Sequence, residues 1–422
     1  MRKNKLFKKY GKSLRPYIDL ISYLFARILS ALPVSSEIIG SPKKAYKSTY
    51  DWIIQYNSRA RVAKSSYQEI YPSYFRSSSE IRTTDKKIHA EFQKQQNRVT
   101  SNAIRSAFVA SIPNGRIWGY HQHGIIITPD DGVLIDISYE GRTSQTKLIN
   151  DETNHPIFRK FKLEPVTHLN ETVALLSVRG GQVYYHWMFN LLPKIHLLNR
   201  SIGIDNIDKF VINKVCTKFQ EETLRILGVP QSKLIEIDGE SFHVKANQVV
   251  VTSFTQISTW SCEFLRSEFL KHTSPKVASE EYIYISRGDA RKRRVANEGD
   301  VINYLEKFGF KIVTLESMSV LEQAQLFSSA KAIVAPHGAG LTNAVFCQPG
   351  TKLVEFFSPN YVHPLYWDLS NHVGLEYYYF LGEQQHLPSY HNPNADDIVI
   401  NLNSLAKTLQ LAGISKQLTC ST

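Results

Sequence analysis

The chain has 422 residues, 42% of them hydrophobic, which is enough for two or three domains with their own cores and too apolar for wholesale disorder. Its four widely spaced cysteines, Cys216, Cys262, Cys347 and Cys420, exclude a disulfide framework and a CxxC zinc site and fit a reducing compartment. The net charge of +12 belongs to one end: residues 1–60 hold 12 Lys/Arg against 3 Asp/Glu, and the rest of the chain carries a surplus of only 3.

The first segment, "MRKNKLFKKYGKSLRPYIDLISYLFARILSALP", is basic and then apolar, interrupted by Asp19 and Arg27, with no clean small-x-small cleavage site after it. Tyr17, Ile21, Leu24, Ile28 and Ile18, Phe25, Leu29, Leu32 recur at helical spacing and predict an amphipathic helix. A charge at a membrane centre costs roughly 3 kcal/mol, which weighs against a span. Two readings stay open: an interfacial helix on an anionic membrane surface, formed by residues 1–34, or a helix packed on the protein's own body. Residues 35–100 are polar and weakly periodic, so residues 1–100 together read as a basic arm.

From 101 the pattern tightens. "RIWGYHQHGIIITPDDGVLIDIS" predicts a hairpin-like pair of strands around residues 129–132. Strands and helices then alternate. Strands fall at 173–178, 209–213 and 247–254, a helix at 184–200 with Pro193 as a kink or break, and another helix ends at Gly228. A second alternating layer starts near 280. It has strands at 282–286 and 311–315, a helix capped at Asn297, a helix opened by a Ser319-x-x-Glu322 capping box, and the strands AIVA and KLVEFF. The expected fold is α/β, with two Rossmann-like domains (101–275 and 276–422) facing a cleft, where ligands bind at the carboxyl ends of the strands.

Three constellations carry chemistry. "PHGAGLTN" leaves a strand and opens a short helix, whose first N–H groups attract anions. Gly338 and Gly340, flanking Ala339, let a phosphate approach the backbone. His337, Thr342 and Asn343 offer side-chain hydrogen bonds, and Glu355 on the next strand is placed to hold ribose hydroxyls. The alternative is a glycine turn with a surface histidine. On the same sheet edge, "SRGDARKRRVANE" (286–298) supplies Arg287 and Arg294 for a diphosphate, while Lys292 and Arg293 read as a solvated face. In the 184–200 helix, His186, Asn190 and Lys194 share one face, which makes His186 a candidate general base or a structural histidine. No Asp-x-Asp occurs, and His121-x-His123 has no further ligands near it in sequence, so no metal site is expected.

The stretches "YYHWMFNLLPK" (184–194), "YISRGDARKRRVANE" (284–298) and "IVAPHGAGLTNAVFCQPGTKLVEF" (333–356) together resemble glycosyltransferase family 61, over roughly residues 170–360. The resemblance implies a GT-B architecture, a nucleotide-sugar donor held by the C-terminal domain, inversion at the anomeric carbon and no required metal or other cofactor. It puts Arg287, Arg294 and the His337–Asn343 loop at the donor, Glu355 at the nucleoside, and His186 at the cleft face of the N-terminal domain. Many bacterial members carry Asp where this chain has Asn190, and plant members carry Asn. The expectation is therefore an inverting glycosyltransferase acting on a glycan or lipid-linked glycan in capsule or surface polysaccharide biosynthesis. It is expected in the cytoplasm, peripheral on the inner face of the membrane. Two rival readings are a nicotinamide oxidoreductase, for which the third glycine of GxGxxG is missing, and a polyanion-binding protein, for which no nucleic-acid module is found.

Overall fold

The structure, a computed structural model, describes residues 17–60, 64–76, 82–83, 103–138, 155–237, 242–273, 281–288, 290–383, 392 and 395–415. Its architecture is mixed α/β, built on two sheets. The strands of the first are β1 (Lys44–Tyr46), β2 (Ser66–Tyr71), β5 (Ala107–Pro113), β6 (Arg116–Tyr120), β7 (His123–Ile127), β8 (Gly132–Leu134), β9 (Thr167–Leu175), β10 (Lys209–Asn213), β11 (Leu234–Ile237) and β12 (His243–Thr252). Between β2 and β5, the strands β3 (Tyr74–Phe75) and β4 (Ala103–Ile104) form a separate ribbon. The main order is β1-β8-β7-β6-β12-β9-β10-β11, with β5 pairing both β12 and β2. β12, β9, β10 and β11 run parallel, as the alternation of strands and helices predicts, whereas β5 and β6 pair antiparallel with β12.

Two expectations are corrected in this half. Residues 44–71 are not an arm: β1 pairs with β8, β2 pairs with β5, and the helix Thr49–Arg59 between them buries Trp52 and Ile53 in the sheet's core. Polar, weakly periodic strands are hard to read because their burial comes from partners far along the chain. The second correction concerns 116–134, which makes two turns instead of one. His121 and Gln122, both at positive φ (45° and 68°), close the β6–β7 hairpin, and a second turn leads from β7 into β8. Paired positive φ values match the right-handed twist of flanking strands.

Helical residues 17–30 lie beside the β1 edge. Arg27 donates to the carbonyls of Pro42 (3.0 Å) and Lys43 (2.8 Å), and Asp19 pairs with Arg159 at 3.0 Å. The polar face therefore packs on the body, and the apolar face points outward.

The second sheet is fully parallel, in the order β14 (Phe310–Val313), β13 (Glu281–Ile285), β15 (Ala330–Pro336), β16 (Lys352–Phe357), β17 (Glu376–Leu381). Alternate residues of its strands enter two different cores. Ile333, Leu353 and Phe357 face one, and Val334, Val354 and Phe356 face the other, as expected of strands covered on both faces. The first of these cores continues into the N-terminal half through Trp187, Phe189 and Leu265, so the two sheets share one hydrophobic interior. The helix Val320–Ser328 has the expected Ser319–Glu322 capping box, and its N–H groups at 320 and 321 also donate to Glu222 from the N-terminal half (2.8 and 3.2 Å). Asn297 starts its helix without capping it: its side chain instead exchanges two 2.9 Å hydrogen bonds with the backbone of Ile400.

Candidate active site

The order β14-β13-β15 means that the chain leaves β13 for one side of the sheet and crosses to the other side for β15. The carboxyl ends of β13 and β15 therefore flank a topological switch point, where the connections diverge and open a crevice. Arg287 follows β13 by two residues, and His337 and Gly338 follow β15 directly. The two loops touch. A Cβ built on Gly338 would lie 2.0 Å from Arg287 Nη1, and one on Gly340 would lie 2.8 Å from Leu315 Cδ1. The φ of Gly338 is 178°, ordinary extended backbone, so the glycine's significance is the guanidinium's approach: a larger side chain there would have to displace Arg287. Residues Ala339–Phe346 form a 3-10 helix whose first N–H groups have no partner within it.

The basic loop is resolved differently from expectation. Arg293 has a left-handed backbone (φ 56°), which reverses the chain locally so that consecutive arginines diverge. Arg293 lies over the Tyr361 ring at 5.3 Å and acts electrostatically on His337, Glu355 and Tyr366. Arg294 turns outward, 2.8 Å from Asp397, with over half its side chain exposed. Arg293, read from sequence as solvated, thus takes the place expected of Arg294. Burial, with Arg293 beside it, lowers the pKa of Arg287. The Nε atoms of Arg287 and Arg293 are both buried without a hydrogen-bond partner, although the Arg287 Nη2 donates to the Lys292 carbonyl at 3.2 Å. Two cations held together with donors to spare form a receptor for an anion.

Behind them, His337 Nδ1 lies 2.5 Å from Glu355 Oε1, and Glu355 Oε2 accepts from Tyr377 at 2.6 Å. Glu355 has no exposed surface. The β15–β16 register sets Ala335 opposite Glu355, which puts the carboxylate one step below the strand end and on the same face as Leu353 and Phe357. This corrects its expected place at a ribose: its contacts are with His337 and Tyr377. Burial raises the Glu355 pKa, and burial together with Arg293 and Arg287 pushes His337 down to about 3. The imidazole is therefore neutral and is oriented by the carboxyl group, against Phe357 and Tyr366. Thr342 is buried, 3.5 Å from the Tyr366 hydroxyl. Asn343 is also buried: it accepts from the Tyr184 hydroxyl (2.7 Å) and donates to Gln323 (2.6 Å), tying the two halves together instead of facing a ligand.

Tyr184 opens the second part of the site. The predicted 184–200 helix is α over Tyr184–His186, π over Trp187–Leu191 and α again over Leu192–Ser201. Pro193 has no N–H to give, and the wide turn before it absorbs the break. Asn190 Nδ2 donates to the Thr255 carbonyl at 2.5 Å, and this fixes the amide orientation. Its Oδ1, 2.8 Å from His186 Nδ1, must then accept. Neutral His186 accordingly carries its proton on Nδ1 and a lone pair on Nε2, the tautomer that a base needs. Gly180, at φ 73°, makes room for the ring: a Cβ there would sit 2.9 Å from His186 Cδ2. Asn213 clamps the preceding turn through Val178. Lys194 is buried, with Nζ 3.2 Å from the Ser177 carbonyl.

A cleft of about 1410 Å³ runs between the halves, lined by Tyr184, Phe219 and Arg225 on one side and by Arg287, Leu315, Met318 and Gly340 on the other. Its walls mix apolar side chains with Glu221, Glu222, Glu316 and Glu322 and with Lys218 and Arg225, and Arg287 and the helix start at Gly340 lie together at its border, where an anionic group would find its donors; His186 and Arg293 are not part of its lining. Among the described residues, no group of three or more His, Cys, Asp or Glu is arranged to hold a metal ion. The roles of Arg293, Tyr184, Thr255 and Asn213 were not apparent from sequence. A left-handed arginine and a long-range carbonyl contact leave no local pattern.

The chain is similar to known proteins. The family model for Glycosyltransferase 61 matches residues 184–354. Beta-1,2-xylosyltransferase RCN11 of Oryza sativa subsp. japonica is 27% identical over 143 residues, which cover 30% of this chain and 27% of that protein. A beta-1,2-xylosyltransferase of Arabidopsis thaliana is 30% identical over 116 residues, 24% of this chain and 22% of that protein. The chain thus spans about a quarter of the length of these curated relatives. The matched segment holds the Gly338 turn, both inward arginines and the His186 helix, and over residues 184–354 the chain is similar to glycosyltransferase family 61.

Proposed function

We propose that this chain is an inverting glycosyltransferase of GT-B type that moves a pentose or hexose from a nucleotide diphosphate donor to a hydroxyl of a glycan, a surface polysaccharide or lipid-linked glycan being the acceptor class. The observation that carries this is the convergence of Arg287 and Arg293 on the Gly338–Gly340 turn at the switch point, with donors unpaired. In the transfer, the His186 Nε2 lone pair takes the acceptor proton. The acceptor oxygen bonds to the anomeric carbon as that carbon's bond to the diphosphate breaks, and the negative charge that develops meets the two guanidinium groups. These cations supply the stabilisation of the leaving group, so no metal ion is needed in this reading. Two xylosyltransferases among the relatives support a small neutral sugar as the transferred group. The inward arginines weigh against the polyanion-binding alternative, which needs them on an open face.

The test is a thermal-shift and calorimetric screen of nucleotide diphosphates and nucleotide sugars, with and without a chelator. A true donor at about 100 times its dissociation constant should stabilise the protein by roughly 2.7 kcal/mol. That gain should survive chelation and be lost in Arg287→Ala. No response to any nucleotide diphosphate would sink the proposal.

A further inference from the structure

The helix over residues 17–30 is packed with its polar side inward, and the described structure offers no cover for its other side. Tyr17, Ile18, Ile21, Leu24, Phe25 and Ile28 are each 52–66% exposed. At helical spacing they fall within an arc of roughly 120°. The opposite arc holds Asp19, bound to Arg159, Tyr23 against the core around Trp118, Arg27 on two carbonyls, and the buried Ala26 and Ser30. A helix that uses its polar face to hold the protein and leaves its apolar face outward is the reverse of ordinary packing, and a soluble surface does not spend so many large apolar side chains without a partner. The patch continues off the helix: Phe161, 47% exposed, meets Phe25 edge to face at 5.4 Å, and its neighbour Lys162 is exposed.

The charge around the patch chooses among partners. Residues 1–16, which lead directly into the helix, contain seven Lys/Arg and no Asp or Glu. A self-complementary protein interface gains nothing from such a block of one sign, because two copies would repel each other. An anionic bilayer gains from both features, taking the apolar face into the headgroup–acyl boundary and attracting each nearby Lys or Arg by roughly fivefold in partition. No helix among the described residues is long and apolar enough to cross a membrane. We infer that the outward face of helix 17–30, with Phe161, is a docking surface for an anionic lipid bilayer, on which the protein lies without spanning it.

The placement has a functional side that rests on no reading of the cleft. The helix sits at the β1 edge of the first sheet, while the cleft opens beyond β10, six strand spacings away, or roughly 29 Å. Docking and nucleotide binding are thus separable. The experiment is flotation of the full chain with vesicles of one part phosphatidylglycerol to two of phosphatidylcholine, and with phosphatidylcholine alone. We expect binding to the mixed vesicles, weakened by salt, and at least about tenfold less to the neutral ones. The pair Ile21→Glu and Phe25→Glu should reduce binding to the mixed vesicles by about tenfold or more, with an unchanged melting temperature and nucleotide response. In case that pair perturbs folding, the fluorescence of Phe25→Trp should be quenched by brominated lipid beyond the wild-type background. Absence of flotation, equal flotation on neutral lipid, or no added quenching in Phe25→Trp would each overturn the inference. So would a wild-type dimer that Phe25→Glu converts to a monomer, since the face would then belong to a second copy.

Discussion

Arg293 and Arg294 are neighbours in sequence and diverge in space, one over Tyr361 beside His337 and one on Asp397. The geometry ranks their substitutions. Arg287→Ala and Arg293→Ala should each lower turnover by about 100-fold, because each removes a preorganised positive charge from the leaving diphosphate. Arg294→Ala, which breaks only an exposed ion pair, should stay within about twofold of wild type in steady-state kinetics. Glu355 gives a second discrimination. A ribose ligand would leave free pyrophosphate affinity untouched when mutated. Because Glu355 is buried behind His337, Glu355→Gln should weaken pyrophosphate and nucleotide diphosphate by the same factor in calorimetry. His186→Gln should cut turnover by about 100-fold while leaving donor affinity unchanged, as a group acting on the acceptor would.

At the level of elements, the site depends on small features that hold larger ones. Gly180→Ala combines a left-handed backbone with a Cβ at 2.9 Å from the His186 ring, so it should displace the imidazole and lower turnover well beyond its cost of about 1–2 kcal/mol in stability. Glu222 joins the halves by capping the helix Val320–Ser328, and Glu222→Ala should destabilise by about 1–2 kcal/mol in denaturant titrations, leaving two helix N–H groups without that cap. The parallel strands β13, β15 and β16 were legible because strands covered on both faces read as unbroken apolar runs, and the capping box at Ser319 because its residues are three apart. The "PHGAGLTN" turn was legible as an anion-facing loop for the same local reason. β17 and β1 were not read, since their burial is conferred by β16 and β8. The π turn before Pro193 was foreseen only as a break, and the side chain of Asn297 went to Ile400, 103 residues on, where a cap was expected.

For the molecule as a whole, buried histidines govern acid stability. Burial holds His123, His196, His363 and His372 at about 4, and His155 and His337 at about 3. Folded, they stay neutral down to those values, whereas the unfolded chain protonates them near 6.5, so unfolding takes up protons between about 6.5 and about 4. Stability should therefore fall as pH drops through that window, with no contribution from these groups above it. Glu355, raised by burial, opposes the trend above 4.5 with a single proton and should not reverse it. Calorimetry across the window would show a falling melting temperature and a net uptake of more than one proton. β12 carries a different consequence. It joins β5, β6 and β9, yet it ends at 252, 77 residues after β9 ends at 175. A ribosome working at about 5–20 residues per second leaves the edge of β9 open for roughly 4–15 s, and the edges of β5 and β6, which end at 113 and 120, for longer still. Open edges recruit other chains. Until the last residues of β12 emerge, those edges on a nascent copy are open to the same edges on its neighbours along the messenger.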